Sequence, residues 1–302
     1  MNAIARTPSL PGGAARAARP SFAGAVGGEV LKLRRQGWIW AMLGVAVLLF
    51  AVLATAFLQA GASRSPMPPA RYLSNVYDVA QAIFDTGAGI FLLIVSARLV
   101  GMEYSGGTIR VLLGRGAGRL RLHLAKLTAL VLLGLVLLAG FLVLMAGTEY
   151  LAALRQYGSI QPFTSLPARA WNDVWISILI ALASIVSAIV IGSTAALLGR
   201  SLAFGLAVAL AFYPADNLVT YACLLLGQLT HRHAFLDLTG YLLGPTLTSL
   251  PVVLERDRDA HATFLTPQVP VGPTHAWLVV GAWLAAMLIG SAILLRRRDV
   301  LE

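Results

Sequence analysis

The sequence predicts an all-α, polytopic membrane protein with six transmembrane helices. Hydrophobic residues make up 58% of the 302 residues and charged residues only 12%, and the mean hydropathy is +0.78. Soluble domains carry about 25% charged residues, so this composition excludes an ordinary globular enzyme. Several uncharged apolar runs also reach the length of about 20 residues that crosses a bilayer as a helix.

The net charge of +10 does not indicate a nucleic-acid-binding protein. The basic residues lie at the ends of the apolar runs, where membrane proteins carry their topology signals, and do not form one basic face of a soluble fold. The single cysteine, Cys223, excludes an internal disulfide and a cysteine-based metal framework.

The segment before the first apolar run has two parts. Residues 1–20 are rich in Ala, Gly, Pro and Arg and predict a disordered cytoplasmic tail, followed by one transmembrane domain over residues 21–302. In residues 22–35, Phe22, Val26, Val30 and Leu33 recur at helical spacing, with charged residues on another face. This pattern favours a short helix in the membrane interface; the alternative is an extension of the first span.

The apolar runs predict spans at 38–58, 79–100, 124–147, 171–198 and 277–295, and a further run begins at Leu202. That run is interrupted at 214–217 (Pro-Ala-Asp-Asn) and allows two interpretations. One is a kinked helix of about 40 Å that overshoots the hydrocarbon core. The other, which we favour, is a fifth span that ends near Tyr213 and is followed, up to residue 254, by apolar helices that dip into the outer leaflet.

An excess of Lys and Arg marks the cytoplasmic side of a membrane protein. If both termini, the 101–123 loop and the turn at Gly199 share one side, that side holds 16 of the 23 basic residues and the other side holds seven. Both termini are therefore predicted to be cytoplasmic, and the number of spans to be even. The seven residues on the other side are Arg64, Arg71, Arg155, Arg169, Arg232, Arg256 and Arg258.

No catalytic motif is recognisable. The segment 114–119 contains glycines but lacks the lysine and hydroxyl residues of a phosphate-binding loop. His231 and His233 have no third candidate metal ligand near them in sequence. We therefore expect this chain to be no enzyme, and to bind no metal or cofactor itself.

Ionisable residues within spans are candidate functional residues, because a charge at the bilayer centre costs at least about 2.5–3.5 kcal/mol. Asp85 and Asp216 are the possible intramembrane polar sites, although neither is expected at the midplane. Small residues such as Gly134 and Gly140 permit close helix packing, either within the chain or in a dimer.

The interval 101–126 carries far more charge than a connector needs: Glu103, Arg110, Arg115, Arg119, Arg121 and Lys126, around a Gly-Gly-Thr step. If residues 103–113 are helical, Glu103, Gly107 and Arg110 share one face. The interval then predicts a surface that binds a cytoplasmic partner. An ordinary positive-inside loop would explain the arginines but not the acidic residue or the Gly-Gly-Thr step.

These residues resemble the first cytoplasmic loop of ABC-2 type transporter permeases. The pattern is Glu103, then Gly107-Thr108, Arg119 and Lys126. The Glu29-x-x-Lys32 helix and the ending Arg297-Arg298-Asp299 are similar to further features of that family. The chain departs from the family where it has Gly116-Ala-Gly118 in place of a proline before the arginine.

The resemblance implies a six-span permease subunit of an ATP-driven exporter in the cell membrane, paired with a second permease and carrying a cytoplasmic coupling helix that fits a groove on an ATP-binding subunit. Two copies of a separate ATP-binding subunit would bind ATP and Mg, and helices would dip into the membrane between spans five and six. Glu103 would contact the ATPase, with Tyr104, Gly107, Thr108 and Arg110 around it, while Arg119 and Lys126 would anchor the loop to the membrane edge. Two alternatives are a stand-alone secondary transporter or channel, and a membrane scaffold or sensor without transport activity.

Overall fold

The computed structural model describes residues 21–62, 69–106, 118–161, 168–255 and 266–297. Within these ranges the chain forms nine helices, and six of them are long and apolar enough to cross a membrane. The predicted all-α, six-span class is therefore confirmed, while the predicted tail at 1–20 lies outside the described residues. The helices are α1 (Phe22–Arg34), α2 (Gly37–Ala62), α3 (Pro69–Ser105), α4 (Arg119–Tyr157), α5 (Ala168–Gly199), α6 (Leu202–Thr230), α7 (His233–Thr239), α8 (Leu243–Glu255) and α9 (Pro273–Arg297).

Helices α3 and α5 form the centre of the bundle. Half of the residues in the most apolar window of each are buried, whereas almost none are in α2. Leu92 and Leu93 of α3 and Ile185 and Ile189 of α5 are fully enclosed. The two backbones approach closely at Gly192, where an added Cβ would lie 2.7 Å from the Leu93 carbonyl oxygen. Small residues allow such approaches, which dispersion forces then stabilise.

One end of the bundle, here called the basic end, gathers α1, the C-terminus of α3, the N-terminus of α4, the α5–α6 turn and the C-terminus of α9. The Leu202 amide donates a hydrogen bond of 3.0 Å to the Ser105 hydroxyl. Val100, Ala196 and Leu295 pack in one buried cluster. The described parts of the segments that the Lys and Arg distribution assigns to one side of the membrane thus lie at one end of the bundle.

The interpretation of α6 as a span ending near Tyr213 is wrong. Helix α6 continues through Pro214 to Thr230. A proline is tolerated within a transmembrane helix where neighbouring groups satisfy the freed backbone. Its 29 residues measure about 43 Å, so the helix must tilt or extend beyond a core of about 30 Å.

Two shorter helices, α7 and α8, lie between the fifth and sixth spans, as predicted. Helix α8 is apolar and, at 13 residues or about 20 Å, is too short to cross the membrane. They help to close the end opposite the basic end, here called the distal end. There the Trp283 indole donates a hydrogen bond of 2.9 Å to the Tyr241 carbonyl, which ties α9 to the α7–α8 turn.

Helix α1 is a separate helix and not an extension of the first span, but the face it buries differs from the predicted one. Glu29 and Leu33 are buried, whereas Phe22 and Val30 are exposed. The reason is electrostatic: the Glu29 carboxylate turns towards cationic side chains in the bundle. Phe22 and Val30 are left to face outwards, as expected for a helix lying in the membrane interface.

Candidate functional site

Four charged side chains from three helices meet at the basic end and are here called the ion cluster: Glu29 and Lys32 of α1, Glu103 of α3 and Lys126 of α4. The Lys126 ammonium lies 2.6 Å from Glu103 Oε1 and 2.9 Å from Glu29 Oε2. The Lys32 ammonium lies 2.9 Å from the same Glu103 oxygen and 2.8 Å from Glu29 Oε1. Each lysine therefore bridges both carboxylates.

The ion cluster is largely withdrawn from water. The side chains of Lys126 and Glu29 are each 4% exposed and that of Glu103 10% exposed, whereas Lys32 is 44% exposed. Unpaired charges would be very costly there, and mutual pairing offsets that cost. Burial works to lower the pKa of Lys32, but the hydrogen bonds and charges of Glu103 and Glu29 outweigh it and raise the pKa above its ordinary value.

Local sequence explains how the cluster forms. Glu29 and Lys32 are three residues apart on α1, so their side chains lie on adjacent turns of one face. Glu103 lies in the last turn of α3, and Lys126 lies two turns into α4. A compact ammonium group with three donors suits a position where two carboxylates must be reached at once.

The Lys126–Glu103 pair joins the two ends of the interval predicted to bind a partner. Glu103 is the last charged residue before the described chain stops at residue 106, and Lys126 lies two turns after α4 begins at Arg119. The base of the interval is therefore fixed to the bundle, and through Glu29 and Lys32 it is also fixed to α1.

The structure places the predicted site residues in different settings. Tyr104 is half-buried beside the cluster of Val100 and Leu295, and Gly107, Thr108 and Arg110 lie outside the described residues. Glu103 belongs to the last turn of α3, and most of the segment 103–113, for which the sequence analysis considered a helix, lies outside the described residues. Its carboxylate is directed into the bundle, so the geometry supports a positioning role.

The two predicted anchors both connect helices. Arg119 Nη1 donates to the Leu295 carbonyl oxygen at 3.4 Å, which links the start of α4 to the last turn of α9. Lys126 lies within the ion cluster. These contacts are made to protein groups, and the anchoring of the loop to the membrane edge stays a prediction.

The two candidate intramembrane acids have separate partners. Asp85 accepts a hydrogen bond of 3.1 Å from the Gln81 amide on the preceding turn. Asp216 accepts one from the Gly244 backbone amide at 2.5 Å, so it caps the N-terminus of α8 from the neighbouring α6. Amides at a helix start lack intrahelical partners, and this capping gives Asp216 a structural role.

Glu29 and Lys32 belong to the ion cluster but are not among the site residues predicted from the sequence. A signal was present: Lys32 and Lys126 are the only lysines among 23 basic residues, and both belong to the ion cluster. In a chain whose other basic residues are all arginine, lysine at these two positions indicates that an ammonium group is needed there and not a guanidinium group. The convergence itself cannot be read from the sequence, because Glu29 and Lys126 are 97 residues apart.

Close packing explains some of the small residues in the spans. A Cβ on Gly134 of α4 would meet the Ile185 side chain of α5, whereas a Cβ on Gly140 would meet nothing within 4 Å. Gly134 therefore serves packing within the chain.

In the part of the chain that the structure describes, no group of three His, Cys, Asp or Glu side chains is placed to hold a metal ion.

Comparison with protein families gives one match, to the model described as ABC-2 family transporter protein, over residues 25–212. The match includes α1, the ion cluster and the first four spans. A search of curated proteins finds no match. The membrane components of this family take part in transport and are not themselves catalytic, and they work in general with an ABC ATP-binding partner. With six candidate spans and a family match over more than half of its length, this chain belongs to the ABC-2 family of transporter proteins.

Proposed function

We propose that this chain is the transmembrane permease subunit of an ATP-driven exporter, coupled to a separate ATP-binding subunit through the 101–126 loop. The observation that carries the proposal is the Lys126–Glu103 ion pair of 2.6 Å. It joins the exit and the return of the loop and fixes both to the bundle. A force applied to the loop would therefore reach α3 and α4 together.

The ion cluster also extends the connection to α1. Lys126 contacts Glu29 of α1 at 2.9 Å, so three helices share one buried electrostatic junction. Buried ion pairs are weak sources of net stability, but they can define one specific arrangement. We assign this positioning role to Glu103, while Tyr104, Gly107, Thr108 and Arg110 provide the contact surface for the partner.

The partner in this proposal is an ABC ATP-binding subunit, present in two copies, which binds ATP and Mg. A second permease, identical or related, completes the transport route. The family's general association with an ABC ATP-binding partner supports the first part. The sparse burial of α2 within the chain leaves an apolar surface available to lipid or to a second permease.

The proposed location is the cell membrane with both termini in the cytoplasm. The distribution of basic residues supports this orientation, since most of them lie in segments at the basic end. The loop 101–126 would then face the cytoplasm, where ATP is available to its partner. Export is the direction that the resemblance of the 101–126 motif implies.

A stand-alone carrier or channel is the main alternative. Such a protein would place ionisable groups or broken helices near the midplane. Asp216 instead caps α8, and Asp85 pairs with Gln81 one turn away. These local roles favour the ATP-driven permease, and family membership makes a scaffold without transport activity the weaker alternative.

Replacing Thr108 with Ala is expected to weaken binding of the ATP-binding subunit about fivefold, which corresponds to the loss of about 1 kcal/mol from an interface contact. Membrane insertion should not change. The measurement is the affinity between the detergent-solubilised permease and the purified ATP-binding subunit, together with ATP hydrolysis by the complex.

The matched control is Thr230→Ala, which removes a threonine hydroxyl at the distal end, where it bonds only within its own helix in the structure. This variant should bind the ATP-binding subunit as the wild type does. Equal affinities for Thr108→Ala and Thr230→Ala, or transport that continues without any ATP-hydrolysing partner, would contradict the proposed coupling.

A further inference from the structure

A cleft of about 730 Å³ opens at the basic end between the start of α1, the first turns of α4 and the last turn of α9. Three of its eight lining residues are arginines, and none of the described lining residues is acidic. Four others are large and apolar. The lining consists of Phe22, Gly118, Arg119, Leu120, Arg121, Leu124, Leu295 and Arg296.

The cationic lining residues come from α4 and α9. Arg119 donates to the Leu295 carbonyl and so joins α4 to α9 at the base of the cleft. The side chains of Arg121 and Arg296 are exposed. Helix α4 also starts here with no side-chain cap on Gly118 and no acidic residue in its first turn, so the positive end of its dipole adds to the arginine charge.

Apolar residues of α1, α4 and α9 also line the cleft. Phe22 is 41% exposed and Leu124 is 45% exposed, although both are large hydrophobic side chains. They lie where the apolar part of α4 begins, directly after its arginine-rich first turn. The cleft therefore offers positive charge next to an apolar surface at the edge of the membrane, which matches the two chemical parts of a phospholipid.

We propose that this cleft binds an anionic phospholipid, with Arg121 and Arg296 contacting the headgroup phosphate and Phe22 and Leu124 contacting an acyl chain. The assignment to the cytoplasmic leaflet rests on the orientation in the proposed function. Basic pockets between helices on that side of a membrane recognise acidic headgroups, and each nearby Lys or Arg contributes about 1 kcal/mol. The apolar lining favours a lipid over free phosphate, which has no group to place there.

The bound lipid would contact three helices at once. Arg121 belongs to α4, Arg296 to α9 and Phe22 to α1. Arg119, which also lines the cleft, precedes Lys126 by seven residues and so lies on the same face of α4, two turns from the ion cluster. An anionic lipid is therefore expected to stabilise the junction from which the 101–126 loop leaves.

The test compares lipid binding to the purified permease alone, without any ATP-binding subunit. The probes are phosphatidylglycerol and phosphatidylcholine, added to the detergent-solubilised chain and followed by native mass spectrometry and thermal unfolding. Wild type should retain phosphatidylglycerol preferentially and unfold at a higher temperature with it. The Arg121→Gln/Arg296→Gln variant should lose about 30-fold in affinity for phosphatidylglycerol.

The control variant is Arg155→Gln/Arg232→Gln, which removes two exposed arginines at the distal end and should keep wild-type lipid binding. Equal retention of the two lipids by wild type, or an equal loss in both double variants, would overturn the proposal. Displacement of the lipid by an excess of inorganic phosphate would also overturn it, in favour of a free-phosphate site. Thr108→Ala should retain the lipid, so a failure of ATPase coupling is distinguishable from a failure of lipid binding.

Discussion

Replacing Lys126 with Met is expected to lower the free energy of unfolding by about 3–5 kcal/mol. The substitution preserves the aliphatic volume but removes the ammonium group that contacts Glu29 and Glu103. Both carboxylates then stay buried beside each other without this ammonium group, and breaking a buried ion pair from one side costs an amount of this order. Thermal or denaturant unfolding of the solubilised protein measures the change.

Lys32→Met is the matched control, because Lys32 makes contacts of the same kind but is 44% exposed. Exposed pairs contribute only about 0–1 kcal/mol, so its effect should be clearly smaller. Adding Glu103→Gln to Lys126→Met should recover part of the loss, because it removes one of the two buried negative charges. If both lysine variants unfold like the wild type, the ion cluster has no role in holding α1, α3 and α4 together.

Gly192→Ala is expected to destabilise the bundle by about 1–3 kcal/mol, the usual cost of overpacking a tight interior. The added methyl group would lie 2.7 Å from the Leu93 carbonyl oxygen and would also overlap the Ser96 hydroxyl of α3. Because Leu93 presents a backbone atom, the crossing of α3 and α5 must widen. A lower unfolding temperature and a smaller yield of monodisperse protein would show this effect.

Gly140→Ala is the control for the Gly192 substitution, since Gly140 is also helical but an added Cβ there meets nothing within 4 Å. Alanine is favoured over glycine in a helix interior by about 1 kcal/mol. The control should therefore be neutral or stabilising. If Gly192→Ala is equally well tolerated, the close approach of α3 and α5 is not required for the fold.

Much of the fold could be predicted because membrane spans are defined by local composition. The run of apolar residues that predicts the fourth span, 171–198, lies almost entirely within α5, Ala168–Gly199. The error at α6 arose from treating Pro214 and Asp216 as a local end signal. Asp216 instead acts on a distant element, the Gly244 amide of α8, and a contact over 28 residues has no signature in local sequence.

The candidate site was predictable to a smaller extent. Glu103 and Lys126 were recognised through the spacing of a family motif, and the structure does bring them into contact. The burial of Glu29 was not expected, because an amphipathic pattern normally directs charged residues outwards. The cationic partners that reverse this preference come from other parts of the chain, so only the three-dimensional arrangement shows them.

The central claim is that the 101–126 loop is cytoplasmic and couples the permease to an ATP-binding subunit. Cysteine cross-linking tests it most directly, because the chain has a single native cysteine, Cys223, that one substitution removes. In a Cys223→Ser background, Thr108→Cys places one reactive thiol in the 101–126 loop, and a short bifunctional maleimide can then join it to the ATP-binding subunit in membranes. We predict a cross-linked permease–ATPase product, and no labelling of Thr108→Cys by a membrane-impermeant maleimide added outside intact cells. Labelling from outside, with no cross-link to the ATP-binding subunit, would contradict a cytoplasmic loop that couples this permease to ATP hydrolysis.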